Sequence, residues 1–189
     1  MAENSKVITD TSQLVDWVAA GAKPKSAWRI GTEHEKILFH RADFGPVAYE
    51  GKDGVGALLQ SLCAHIGDKA RPIIEKGHII GLKDGEGGSV TLEPGGQFEL
   101  SGAPLKTLHQ TCKETGMHLK QMMSVTAELE LCMLGSGFQP LWGRDDCHWM
   151  PKGRYRIMRD YMQKKGSLGL DMMLRTCTVQ VNLDFSSEQ

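Results

Sequence analysis

The chain has 189 residues, 40% of them hydrophobic and 24% charged, which suits one soluble globular domain or a large piece of one and excludes a disordered tail. Its 22 Lys+Arg against 23 Asp+Glu leave a net charge of −1, so bulk charge gives no reason to expect nucleic acid or an anionic membrane surface as a partner. No apolar run approaches the roughly 20 residues of a membrane span, and the opening Met1-Ala2-Glu3-Asn4-Ser5-Lys6 lacks a signal-peptide core. A cytoplasmic location is expected, a plastid one if a transit peptide has been removed. Cys63, Cys112, Cys132, Cys147 and Cys177 show no Cys-x-x-Cys spacing, which argues against a zinc knuckle or thioredoxin-like pair and for mostly reduced thiols.

Thr11-Ser12 can cap a short helix whose apolar Leu14, Val15, Val18 and Ala19 share one side, with Gly21 closing it. From Trp28 to Phe39 the period becomes two: Ile30, Thr32, His34 and Lys36 face one way, and Gly31, Glu33, Glu35 and Ile37 the other. Glu33 and Glu35 thus stand side by side on one strand face. Val55, Leu58, Leu59, Leu62 and Cys63 form the stripe of a core-facing helix that Gly67 can stop. Ile79-Leu82, Ser89-Glu93 and Gln97-Ser101 read as strands of an antiparallel meander, separated by Asp84-Gly85-Glu86-Gly87-Gly88 and Pro94-Gly95-Gly96.

Leu105 to Glu130 is the longest helical pattern, with Leu108, Cys112, Leu119, Met122, Met123 and Leu129 near one face and Gly116 a weak point inside. Leu131-Leu134 follows as a strand. Gly153 to Lys165 is a helix with Tyr155, Met158 and Met162 on one side, and Gly166 stops it. Thr176 to Phe185 alternates most cleanly: Thr176, Thr178, Gln180, Asn182 and Asp184 form a fully polar face, while Cys177, Val179, Val181, Leu183 and Phe185 pack. There is no internal repeat or low-complexity tract, so the expected class is α+β, a mainly antiparallel sheet with helices over its apolar side.

These strands turn polar residues to a common side: Glu33 and Glu35; Glu93, then Gln97 and Glu99 across a tight turn; Gln180 and Asn182. Clustered carboxylates repel unless a positive charge sits among them, and Mg²⁺ takes a few carboxylates while bridging substrate phosphates. Ordinary solvated strand faces are the alternative reading. No glycine run continues as a phosphate loop, and His34-Glu35-Lys36-Ile37-Leu38 has Leu where a zincin needs its second histidine. Arg154 and Arg159 can fork onto a substrate carboxylate or lie on a solvated helix face. Cys112 and Cys132 can approach as a bridge or stay reduced.

Several segments closely resemble the plant-type and proteobacterial glutamate-cysteine ligase family. They are Arg29 to Lys36, Asp84 to Gly102, Gly137-Phe138-Gln139-Pro140, Met150-Pro151-Lys152-Gly153-Arg154-Tyr155, Gly166 to Met173 and Asn182 to Ser187. The resemblance implies a glutamine-synthetase-like fold, an antiparallel sheet forming part of a funnel with helices on the outer face. It implies ATP- and Mg²⁺-dependent ligation of glutamate, through its γ-carboxylate, to cysteine, the first step of glutathione biosynthesis. Carried over by motif, Glu33, Glu35, Glu93 and Glu99 hold the metal, with Glu33, Glu35 and Glu99 the catalytic set. Gln97, Gln180 and Asn182 then meet the ATP phosphates, Arg154 and Thr178 the glutamate substrate, and Cys112 and Cys132 match the places of a redox disulfide. A monomer or homodimer is implied for the full-length enzyme. Family members run to more than twice this length, so residues 1–189 are expected to be a single partial catalytic domain. A truncated inactive remnant serving as an interaction module, or a carboxylate-amine ligase with another acceptor, are the alternatives.

Overall fold

The computed structural model describes residues 7–187; residues 1–6, read above for a leader, and 188–189 lie outside. The spine of the fold is β1 (Ile30–His40), the longest member of a seven-stranded sheet. Its first half pairs antiparallel with β5 (Phe98–Ser101) on one side and β7 (Val179–Leu183) on the other. Its second half pairs with β6 (Leu131–Leu134). Beyond β5 the expected meander continues in order through β4 (Ser89–Leu92) and β3 (His78–Lys83). It then gains an unexpected edge strand, β2 (Arg71–Glu75), turned back through Lys76 and Gly77, both with positive φ. Pro72 hides β2 in the sequence, and the edge position is what tolerates it, since an outward-facing residue there needs no ladder donor.

Helices α2 (Val55–Ile66) and α3 (Leu108–Glu128) cover one face. Leu58, Leu59 and Leu62 of α2 and Met122 and Val125 of α3 close over Leu38, Leu82, Leu92 and Phe98. This is the apolar burial that holds the two layers together. At the start of α3, Thr107 and Gln110 form a reciprocal capping box, and Gly116 leaves the helix unbroken.

The buried face of α3 differs from the expected one. It is Thr111, His118, Met122, Val125 and Thr126, whereas Leu108 and Met123 are exposed at 71% and 66%. The reason lies underneath: β1 turns Thr32, His34 and Lys36 toward the helix, so polar side chains meet polar side chains, as Thr115 Oγ1 and His34 Nε2 do at 3.4 Å.

The Cys112–Cys132 bridge is not formed; both are free thiols. Cys112 lies sixteen residues before the end of α3 at Glu128, about 24 Å along the axis. Four residues back to Cys132 recover at most about 14 Å, so the two Cα atoms stay beyond the ~7 Å reach of a disulfide.

Two further expectations are corrected. The apolar side of β7 does not pack: Val179, Val181 and Leu183 are 69%, 56% and 70% exposed, because no described element lies over them. In α1 (Ser12–Ala19) no residue is buried, and Asp10 rather than the hydroxyl of Thr11 meets the backbone N–H of Ser12.

α4 (Gly153–Lys165) buries Tyr155 as expected. It is followed by α5 (Gly169–Arg175), too short to show a period in the sequence; its Met173 and Leu174 form a second small core with Cys147. Both helices press on the β4–β5 turn. There Gly96 has φ +84° and Gly95 runs so close to Leu174 that a Cβ would strike its carbonyl.

Candidate active site

On the face of the sheet opposite α2 and α3, register alone assembles a carboxylate cluster. Glu35 is directly opposite Glu99, Glu99 opposite Thr91, Glu33 opposite both Ser101 and Gln180, and Gly31 opposite Asn182. Cross-strand partners share a face, so the expectation that Glu33, Glu35 and Glu99 stand together on one antiparallel sheet is met.

Each carboxylate is held by its neighbours. Glu99, 7% exposed, accepts from Thr91 Oγ1 at 2.9 Å and Ser101 Oγ at 2.6 Å. Glu35 accepts from the backbone N–H and Oγ1 of Thr178 at 3.0 and 2.8 Å. Asn182 Nδ2 donates to Glu33 at 3.0 Å, and Gln180 Nε2 donates to Asn182 Oδ1 at 2.9 Å, a short amide relay along β7. Such donors fix the carboxylates without neutralising them.

Glu93 stands at the end of β4, its backbone N–H donating to the Gln97 carbonyl across the turn. Burial, reinforced by the Glu99 carboxylate beside it, pushes Glu93 up to about 7, against the pull of Lys152. Two carboxyl groups in one buried place cannot easily both ionise without a cation. Lys152, just before α4, donates from Nζ to the Leu92 carbonyl at 2.6 Å, and the buried Tyr155 hydroxyl donates to the same oxygen. Arg154 is exposed, its guanidinium 5.3 Å above the Tyr155 ring.

Gln97 is 4% exposed and occupied by backbone. Its Oε1 accepts from Gly95 N at 2.9 Å, and its Nε2 donates to the Thr176 and Met173 carbonyls at 2.7 and 3.3 Å. The side chain therefore ties the turn to the end of α5. Beneath the cluster, Lys36 is buried on the helix side and donates to the His34 carbonyl at 3.0 Å. Burial lowers it to about 8, opposed by Cys177, Glu99 and Glu35.

Among the described residues no three His, Cys, Asp or Glu side chains converge into a ready-made cage. The donor set still fits a hard cation of the Mg²⁺ type, which keeps several waters and takes only one or two protein carboxylates beside substrate phosphates.

The family model for glutamate-cysteine ligase family 2 matches residues 29–189. The chain belongs to that family. It is 57% identical over 175 residues to the chloroplastic glutamate–cysteine ligase of Brassica juncea, covering 93% of this chain and 33% of that protein. It is 56% identical over 177 residues to chloroplastic glutamate–cysteine ligase A of Oryza sativa subsp. japonica, and 55% over 175 residues to the chloroplastic protein of Arabidopsis thaliana. The chain spans about a third of the length of these curated relatives.

Within this glutamate-cysteine ligase family member, the structure adds Thr91, Ser101, Lys152 and Tyr155 to the site residues read from the sequence. Thr91 and Ser101 sit two residues from Glu93 and Glu99, so strand alternation was the available signal. For Lys152 and Tyr155 the only signal was their place in the Met150 to Tyr155 motif.

Proposed function

We propose that this chain carries part of the active site of an ATP-dependent ligase that joins glutamate, through its γ-carboxylate, to the amine of cysteine. The observation that carries the reading is the Glu35–Glu99 cross-strand pair with Glu33 and Glu93 beside it, in a chain of this family. The sheet is then part of a glutamine-synthetase-like funnel, with the carboxylate face its lining and α2 and α3 its outer wall.

In the first step a γ-carboxylate oxygen of glutamate attacks the terminal phosphorus of ATP, and ADP leaves. In the second the cysteine amine attacks the acyl phosphate carbon, phosphate departs with the C–O electrons, the amine loses a proton and γ-glutamylcysteine results. Glu33, Glu35, Glu93 and Glu99 are the groups that hold Mg²⁺; when bound, it offsets the charge of the phosphates. Thr91 and Ser101 aim Glu99, Thr178 aims Glu35, and Asn182 and Gln180 aim Glu33 and extend toward the phosphates. Gln97 contributes by fixing the β4–β5 turn against α5. Arg154 reaches the carboxylates of glutamate from its exposed position above Tyr155, with Thr178, just before β7, as the second contact.

The relatives are named chloroplastic, and we extend a plastid location to this chain. No described helix is long and apolar enough to cross a membrane.

The reading is tested in a chimera in which this chain replaces the matching third of the Brassica juncea relative. Formation of γ-glutamylcysteine is expected, and Glu99→Gln should lower kcat by ~100-fold or more with the far-UV spectrum unchanged. Arg154→Ala should raise the KM for glutamate by about tenfold and leave kcat nearly intact. Near-normal turnover of Glu99→Gln at saturating Mg-ATP removes the carboxylates from the reaction, and coupling of glutamate to a different amine reassigns the acceptor.

A further inference from the structure

The chain's net charge of −1 conceals a local excess. From Lys152 to Lys165 there are six Lys and Arg residues against a single carboxylate, Asp160. Lys152 and Arg154, at the first turn of α4, are drawn electrostatically to Glu93 and Glu99 and belong to the site already described. The other four, Arg156, Arg159, Lys164 and Lys165, are all exposed, because α4 turns Tyr155, Met158 and Met162 inward to the two cores.

Among the described residues no carboxylate pairs with these four cations. Asp160 is four residues from both Arg156 and Lys164, the spacing of a helical ion pair, yet it meets neither. On the neighbouring elements the carboxylates are taken: Glu75 accepts from Gly153 N at 2.7 Å, and Asp171 is held by Arg175 at 2.9 Å and Arg144 at 3.5 Å. Arg159 lies 5.5 Å over the Trp149 ring and Lys165 5.6 Å over that of Tyr161, contacts that leave both charges in place. Four cations against Asp160 give this face a balance of +3.

Three large apolar side chains stand bare among the charges: Ile157 at 69%, Tyr161 at 56% and Leu168 at 72% exposure. Leu168 stays beside the end of α4, since Gly169 comes so near Met162 that a Cβ there would lie 2.9 Å from that of Met162. Four or more Lys and Arg on one helix attract an anionic surface. A nucleic-acid backbone is held by charge and gives aliphatic side chains nothing to enter. A bilayer takes cations at its headgroups and Ile, Leu and Tyr at the boundary with the acyl chains. The mixture of bare apolar groups and unpaired cations therefore selects lipid.

We propose that the outer face of α4 binds the surface of an anionic bilayer peripherally, with Arg156, Lys164 and Lys165 at the headgroup phosphates and Ile157, Tyr161 and Leu168 at the acyl boundary. The face is built from residues with no part in the carboxylate cluster, so the proposal does not depend on the ligase reading.

The test is flotation of the 189-residue chain with vesicles of equal parts phosphatidylglycerol and phosphatidylcholine, which separates bound protein from any self-associated protein that sinks. Saturable flotation is expected, with little on phosphatidylcholine alone and a steep loss as salt is raised. Arg156→Glu combined with Lys164→Glu should weaken binding roughly tenfold or more. Ile157→Ser combined with Leu168→Ser should also weaken it by roughly tenfold. All four positions are exposed, so both variants should keep the far-UV spectrum of the parent. The proposal is overturned by equal flotation on phosphatidylcholine, by unchanged binding of either folded double variant, or by polyuridylate displacing the chain from the anionic vesicles at equal phosphate concentration.

Discussion

Glu99 and His118 are both nearly buried, one on each face of the sheet, and their fates differ because their partners do. Glu99 is met by two hydroxyl donors. His118 meets no donor or acceptor at Nε2, and burial, with Lys36 and His34 adding like charge, lowers it from 6.5 to about 3. A depressed folded-state value means that the unfolded chain takes the proton first. The stability tied to neutral His118 is therefore complete above pH 6.5 and is lost as the pH falls toward 3. At ~1.4 kcal/mol per tenfold change in proton affinity, a few kcal/mol are at stake. Glu93, pushed upward, carries the opposite slope near neutrality, so the difference between variant and parent is what isolates His118. Urea midpoints at pH 7, 5 and 4 should converge less for the parent than for His118→Gln, whose acid sensitivity is blunted. Parallel curves for the two proteins refute the assignment.

At the scale of the element, the β4–β5 turn is the joint on which the site depends. It places Glu93 and Glu99 on one face and receives α5, with Gln97 bonded to the Thr176 and Met173 carbonyls. Gly95→Ala would force a methyl into the Leu174 carbonyl, an overpacking that should cost about 1–3 kcal/mol. It should also shift the backbone resonances of α5; a variant as stable as the parent would show that the turn has room to move. The capping box of α3 is a milder test. Thr107→Ala removes the hydroxyl that accepts from Gln110 N and should cost about 1 kcal/mol, seen as a lower urea midpoint with unchanged m. Cys112 and Cys132, kept apart by the length of α3, should both be counted as free thiols by a thiol reagent before and after mild oxidation. Loss of two thiols from one monomer would contradict this geometry.

At the scale of the whole molecule, the sheet is open along β7. Its outer edge offers unpaired backbone groups, and the apolar Val179, Val181 and Leu183 lie bare beside them. The purified 189-residue chain should therefore associate as its concentration rises, and Val181→Lys should return it toward the monomer in sedimentation velocity. A concentration-independent monomer would show that this edge is protected. Because the carboxylate face is carried by a sheet that is open beyond β7, the chain by itself should release no phosphate from ATP with Mg²⁺, glutamate and cysteine. Turnover comparable to a full-length relative would show that no further wall is needed.

Period and motif made part of the site legible in the chain alone. Strand alternation put Glu33 with Glu35 because side chains alternate with period two whatever the partner strand, and the tight turn after Glu93 brought Glu99 to its side. The stripe of α2 and the alternation around Gln180 and Asn182 were legible for the same local reason. The rest came from packing. Pairing register set Glu35 against Glu99 and left Thr91 and Ser101 as their donors. The polar underside of β1 chose Thr111 and His118 over Leu108 and Met123 of the more apolar stripe of α3, while Met122 of that stripe is buried as expected. β2 and α5, too short or too proline-marked to show a period, exist because neighbours supply their partners. The Cys112–Cys132 bridge was excluded by the length of the helix between them. Local pattern fixes the direction in which a side chain points along its own element, but which groups it meets depends on contacts between residues distant in the chain, and those are set by packing.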